Sequence, residues 1–264
     1  MRRASLFWGG ALIVLGALLL LENLGILKVD VFSTMFWPLL LIVVGLWIVW
    51  SVASPSVSET REVAIPLDGA SRANIRVSYG AGELRINASA SPGELLSGMF
   101  GGGLDYRPKR DGDVLNLKME PPWQGNFVPF GPLWGSRYDW SFGLNKTIPL
   151  SLNLKTGASA NQFDFSDLRL TDLRLETGAS STELTLPTNA GQTKVDIEAG
   201  AASVVIRIPP TTAARIRIRS GVSGIDVSSR FQRLGDHYQS PDYDSAPNKA
   251  DIYVQMGAGS VDIR

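Results

Sequence analysis

Leu152-Asn153-Leu154-Lys155-Thr156-Gly157-Ala158 is followed by Leu173-Arg174-Leu175-Glu176-Thr177-Gly178-Ala179 and by Val195-Asp196-Ile197-Glu198-Ala199-Gly200-Ala201. The glycines stand 21 and 22 residues apart, and a fourth copy, Ile216-Arg217-Ile218-Arg219-Ser220-Gly221-Val222, comes 21 residues later. Further Gly-Ala pairs stand at Gly80-Ala81 and Gly257-Ala258. Self-similarity at a period of about 20 to 50 residues marks stacked units, none of which can bury its apolar face alone. Before each glycine, apolar residues alternate with polar ones; after it the alternation resumes, as in Val204/Ile206 and Val261/Ile263. A spacing of two is strand periodicity, with apolar side chains inward. Each unit therefore reads as strand, Gly-Ala corner, strand. Glycine at a corner is expected for its access to positive φ, and alanine for close stacking of backbones.

The outward positions predict how the units stack. If successive units lie one hydrogen-bonded strand apart, about 4.8 Å, then Arg174, Asp196 and Arg217 form one charged ladder. Lys155 with Glu176 and Glu198 with Arg219 form two more pairs, and Glu176 beside Glu198 is a mismatch. Exposed pairs of this kind are worth only about 0.2 to 1 kcal/mol each, so they favour a register more than they stabilise a fold. The expected class is an all-β soluble domain, a β-solenoid of stacked strand-GlyAla-strand repeats, preceded by a transmembrane α-helical hairpin.

Residues 1–53 supply that hairpin. Ala4 to Leu21 and Met35 to Ala53 carry no charge, and eighteen or nineteen helical residues span about 27 to 29 Å, close to the hydrocarbon thickness of a bilayer. The two spans resemble each other: Phe7-Trp8 and Leu12-Ile13-Val14 with Gly16 recur as Phe36-Trp37 and Leu41-Ile42-Val43 with Gly45. Gly16 and Gly45 permit close helix approach, and Trp8 and Trp37 suit the interface; these four are the candidate hairpin-packing residues. A signal peptide is the competing reading of the first span, from Arg2 and Arg3, but a duplicated helix fits a packed pair better than a leader. The same arginines place the N-terminus in the cytoplasm, and two crossings return the chain there. The expected location is the plasma membrane, multi-pass, with the soluble domain cytoplasmic.

Residues 54–62 read as a linker and 63–264 as the repeat domain, interrupted at about 88–147 and 228–250. The first interruption holds Trp123, Phe127, Phe130, Trp134, Tyr138 and Trp140 among Gly and Pro, and a strand is expected at Val114 to Met119. Such aromatic density is costly to leave in water. Either the segment folds over an open end of the stack, or the six aromatics form a surface for a partner protein, a lipid interface or a glycan. The second interruption is polar and is expected to project.

The chain balances 25 basic against 25 acidic residues, so the basic triplet Arg215, Arg217, Arg219 reads as a salt-bridged face and no nucleic-acid partner is expected. With no cysteine and His237 the only histidine, neither a zinc site nor a Cys/His nucleophile is expected. Gly101-Gly102-Gly103 lacks the lysine and helix of a phosphate loop. Asp164, Asp167, Asp172 and Asp226, scattered over strands and turns, read as structural rather than as a glycosidase pair. No enzyme activity and no cofactor are expected.

The Phe-Trp-x-x-x-Leu-Ile-Val-x-Gly hairpin, with Glu22-Asn23-Leu24-Gly25-Ile26-Leu27 and Phe36-Trp37-Pro38-Leu39-Leu40, resembles the transmembrane region of LiaI/LiaF-like bacterial proteins. The Leu-x-Leu-x-x-Gly-Ala repeats resemble the toast-rack β-solenoid domain found attached to it. The resemblance implies a role in sensing or controlling the response to cell-envelope stress, with a membrane sensor kinase or another envelope-stress protein as partner. The alternatives are a membrane-tethered scaffold that self-associates through its strand edges, with the last strand, Val261 to Arg264, as the free one, and a glycan-binding surface domain.

Overall fold

The computed structural model describes residues 60–122 and 139–264, all within one of the two units of the chain, Ser56–Arg264. These residues form an all-β domain built on one large mixed sheet. The elements are β1 (Thr60–Pro66), β2 (Arg72–Asn87), β3 (Glu94–Gly101), β4 (Asp105–Asp111), β5 (Val114–Glu120), β6 (Trp140–Leu144), β7 (Pro149–Asp164), β8 (Arg169–Thr185), β9 (Gln192–Arg207), β10 (Ala213–Val227), β11 (Gln232–Leu234), β12 (His237–Gln239) and β13 (Lys249–Ile263). The expected strand at Val114 to Met119 is β5. The two expected membrane spans lie outside the described residues; among the described residues no helix is long and apolar enough to cross a membrane.

The six long strands each run through a Gly-Ala or Gly-Val pair and pair in parallel, in the order β2-β7-β8-β9-β13-β10. Equivalent repeat positions fall opposite one another, Ala81 on Ala158, Ala179, Ala201 and Ala258. In β7 the buried positions are even-numbered from Leu150 to Thr156 and odd-numbered from Ser159 to Phe163. The other strands change parity at the same point, as in β9, where Val195 and Ile197 give way to Val204 and Ile206. A strand that kept its alternation would turn its second half outward. The Gly-Ala step re-aims that half, so both halves feed the same core.

The glycine requirement there is one of space rather than of φ. Among the stacked glycines Gly80, Gly157, Gly178, Gly200, Gly221 and Gly257, none has positive φ, contrary to the expectation for a corner. A Cβ on Gly157 would lie 2.4 Å from the Gly80 carbonyl oxygen, and one on Gly178 or Gly200 would lie 3.0 Å from that of the glycine before it in the stack. Gly80, which starts the stack, has nothing within 4 Å of such an atom. A polar seam follows the corner inside: Thr156 Oγ1 donates to Thr177 Oγ1 at 2.8 Å, and Asn161 Nδ2 to Thr182 Oγ1 at 3.0 Å.

The strand order corrects the expected ladder. β13, last in the chain, lies between β9 and β10, so Tyr253 separates Asp196 from Arg217 and Gln255 separates Glu198 from Arg219. The segment Val261 to Arg264 is therefore an interior part of the stack, not a free edge. Lys155 does pair with Glu176, Nζ to Oε2 at 2.7 Å. Arg174 faces Asp196 in register but donates instead to Glu176 (3.0 Å) and Glu198 (2.9 Å). One guanidinium thus neutralises the neighbouring glutamates, because an arginine side chain reaches diagonally as easily as straight across.

The two interruptions become covers. β5 pairs with the first half of β2 and carries β4 on its far side. β6 pairs with the second half of β2 and leads through β3 to β1. Gly102 and Gly103 make a turn after β3 at positive φ, 76° and 89°. The polar interruption folds back rather than projecting: Phe231 and Tyr243 are buried, and Ser240 Oγ accepts from the Ala214 amide at 2.9 Å.

Candidate interaction surfaces

Trp140, one of the six candidate partner-binding aromatics, is a core residue. It is 1% exposed, its indole nitrogen donates to the Gly101 carbonyl at 3.2 Å, and its ring meets Phe100 edge-on at 5.3 Å and Tyr79 at the same centroid distance. Phe100 in turn stacks on Phe142 at 5.6 Å. This cluster fastens β3 and β6 onto β2, so Trp140 offers no face to a partner. Trp123, Phe127, Phe130, Trp134 and Tyr138, and the hairpin residues Gly16, Gly45, Trp8 and Trp37, lie outside the described residues.

Two features of the described surface can receive a partner. The first is an open groove of about 840 Å³ along the glycine corner, where the strands present Lys155, Glu176, Glu198 and Gln255 beside the backbone of Gly80, Gly200 and Gly257. Hydrogen bonds from Lys155, and secondarily from Arg174, hold the Glu176 carboxyl below the usual carboxylate range. The charged side chains of the groove are thus already paired, and Thr156, Thr177, Ala199 and Met256 line it beside them. No group of His, Cys, Asp and Glu able to hold a metal occurs among the described residues.

The second feature is the outer edge of β10. The row of equivalent residues Leu84, Asn161, Thr182, Val204, Val261 and Ile225 is at most 2% exposed in its first five members and 44% exposed at Ile225. Val222, where the other copies carry alanine, is 83% exposed. In the first half of the same strand Ile216 is fully buried, because β12 pairs at Arg215 and Ile216 and carries β11 beyond it. Arg215 is further held over the Tyr243 ring at 4.2 Å, while the Tyr243 hydroxyl donates to Asp251 at 2.6 Å; burial, then this bond, pushes the phenol up to about 12. From Arg217 to Val227 no described strand pairs with the outer side of β10. A sequence signal for this edge exists in Gly221-Val222, the one stacked pair in which valine replaces alanine.

The family model for the N-terminal domain of toast_rack matches residues 54–207, more than half of the chain. The protein belongs to the toast-rack family. A second model, the LiaI-LiaF-like transmembrane region, matches residues 6–49. This is therefore a membrane-anchored toast-rack protein, and its β10 to β13 lie beyond the matched part. Its fold is shared with a crystal structure from Clostridium sporogenes described as a "putative cell adhesion protein", which is 21% identical, covers 78% of this chain and 98% of its own, and superposes with a TM-score of 0.71. A structure from Bacteroides fragilis described as a "putative adhesin" has the same coverages at 9% identity, but its TM-score of 0.18 carries no structural argument. No curated protein matches the sequence.

Proposed function

We propose that this toast-rack protein is a non-enzymatic interaction module of the bacterial cell envelope. In this reading residues 1–53 form a two-helix hairpin that holds a β-solenoid on the cytoplasmic side of the plasma membrane, where it engages a membrane sensor kinase or another envelope-stress protein. The observation that carries the reading is the joining, in one chain, of a LiaI-LiaF-like transmembrane region to a stack whose strands repeat in register and whose corner and edge present backbone to a partner. A rigid repeat surface of this kind suits protein recognition, since strand edges bind by main-chain pairing and side chains add selectivity.

The chain has no cysteine, so one introduced at exposed Asn189 reports the side of the membrane directly. A membrane-impermeant maleimide should label Asn189→Cys only after cells are lysed. Labelling in intact cells overturns the kinase-facing reading. It would instead favour a second reading, an outward-facing adhesive scaffold, for which the described role of the similar Clostridium structure is the supporting observation. Loss of the gene should raise the basal envelope-stress response if the protein restrains a kinase; an unchanged response removes that role.

A further inference from the structure

We propose that two copies of this chain join edge to edge, the free stretch Arg217–Val227 of β10 pairing antiparallel with the same stretch of its partner, so that Arg219 of each protomer lies opposite Asp226 of the other. This inference goes beyond the signalling role and does not depend on which side of the membrane the domain occupies.

An edge with unpaired backbone and apolar side chains is a template for another strand, and proteins that remain monomeric blunt such edges with proline, bulges or inward charges. Between Arg217 and Val227 there is no proline, and Val222 and Ile225 are exposed. The opposite end of the stack is closed along both halves of β2, by β5 and by β6. The outermost strands at that end, β4 and β1, carry Pro108 and Pro66, which blunt them against head-to-tail stacking, so the contact favoured for β10 is an isologous one that closes at two.

Charge and facing select the register. Arg217 and Arg219 stand before the corner and Asp226 after it. Among the described residues neither Arg219 nor Asp226 forms a salt bridge; the Arg219 guanidinium lies 5.8 Å from the Tyr253 ring centre. Parallel in-register pairing of two copies would set Arg217 and Arg219 against themselves. Antiparallel pairing centred between Val222 and Ser223 sets Arg219 opposite the partner's Asp226 twice over. It also sets Ile218 opposite the partner's Val227. Both are partly buried members of the core-facing set, whereas Arg219 and Asp226 are both exposed, so like faces meet like. Shifting by one residue would bring exposed Arg219 against core-facing Ile225, which the pleat disfavours. The change of facing at Gly221 is what makes this register consistent on both sides of the central Val222–Ser223 pair. β12 ends its pairing at Ile216, one residue before the self-complementary stretch begins.

The test is charge reversal in the full-length protein, purified in detergent, with its mass measured across a concentration series. The wild type should be dimeric. Asp226→Arg and Arg219→Asp should each raise the dimer dissociation constant by about tenfold or more, since each replaces two opposite-charge pairs with two like-charge ones. The double variant Arg219→Asp with Asp226→Arg should recover the dimer, which a merely damaged fold would not do. A wild-type monomer, or a dimer indifferent to both single reversals, overturns the proposal; the second result would assign association to another part of the chain. Failure here leaves the sensor-kinase reading untouched, because that reading is tested by Asn189→Cys labelling and by the stress response.

Discussion

The two ends of the parallel stack face the same physical problem and meet it differently. At β2 both halves of the strand are covered, one by the β5-β4 hairpin and the other by β6, β3 and β1, with Trp140, Phe100 and Phe142 as the fastening. At β10 only the first half is covered, and Ile225 is left 44% exposed where its counterpart Leu84 is fully buried. Apolar surface and unpaired strand backbone are unfavourable in water wherever they occur, so the half-open end is the one at which the proposed edge-to-edge pairing would bring the larger gain. Closed at one end and half open at the other, the stack has a direction.

The sharpest way to break this contrast is to remove β13. Deleting Lys249–Arg264 takes away the strand that joins β10 to β9, leaving β9 paired with β8 alone and β10 with only the short β12. The expected outcome is loss of cooperative thermal unfolding followed by circular dichroism, whereas a tail pairing only at a free edge would leave most of the domain intact. Matched truncations at the two ends come next. Leu84→Ala should cost about 2–5 kcal/mol in denaturant unfolding, the range for buried leucines, and Ile225→Ala, already half in water, less than about 1 kcal/mol in a monomeric background. Equal costs would mean that the β10 end is covered after all.

Smaller effects separate the glycines. Gly157→Ala must push a Cβ against the Gly80 carbonyl oxygen, 2.4 Å away in the present backbone, and should cost about 1–3 kcal/mol through overpacking. Gly80→Ala, with open space around the same position, should stay within about 0.5 kcal/mol. If the two behave alike, the glycines serve backbone conformation rather than close stacking. The smallest effect is the pH dependence of the ionic row. Because Lys155 and Arg174 hold Glu176 below its ordinary value of 4.5, the contribution of Glu176 is fully present above that pH and declines as pH falls below it through the lowered folded-state value. Glu176→Gln should therefore flatten that part of the stability profile. The row is solvent-exposed, so added salt should weaken the effect.

Much of the fold was legible because its determinants are local and repeated. The alternation around each glycine placed the long strands and their inward residues, and the 21-residue spacing predicted that equivalent positions align, as Leu152, Leu173 and Val195 do. What could not be read was order. Each repeat offers nearly the same surface to its neighbours, so nothing local says that Ile252 rather than Ile216 lies beside Val195. Covers were equally illegible, since their contacts are made at long range: Trp140 reaches the Gly101 carbonyl across 39 positions, and Tyr243 is buried although its segment reads as polar. The candidate edge on β10 followed from that hidden order. Once β13 is placed inside, the exposed terminal strand is the one with Val222 at its corner.

Amide hydrogen exchange of the full-length protein, comparing wild type with Asp226→Arg, addresses the half-open end most directly. Amides in β9 and β13 should exchange slowly in both proteins, while the outward amides of Arg217–Val227 should exchange slowly in the wild type and quickly in the variant. Fast exchange there in both, or equal protection in both, would contradict the claim that this edge is completed by a second copy of the chain.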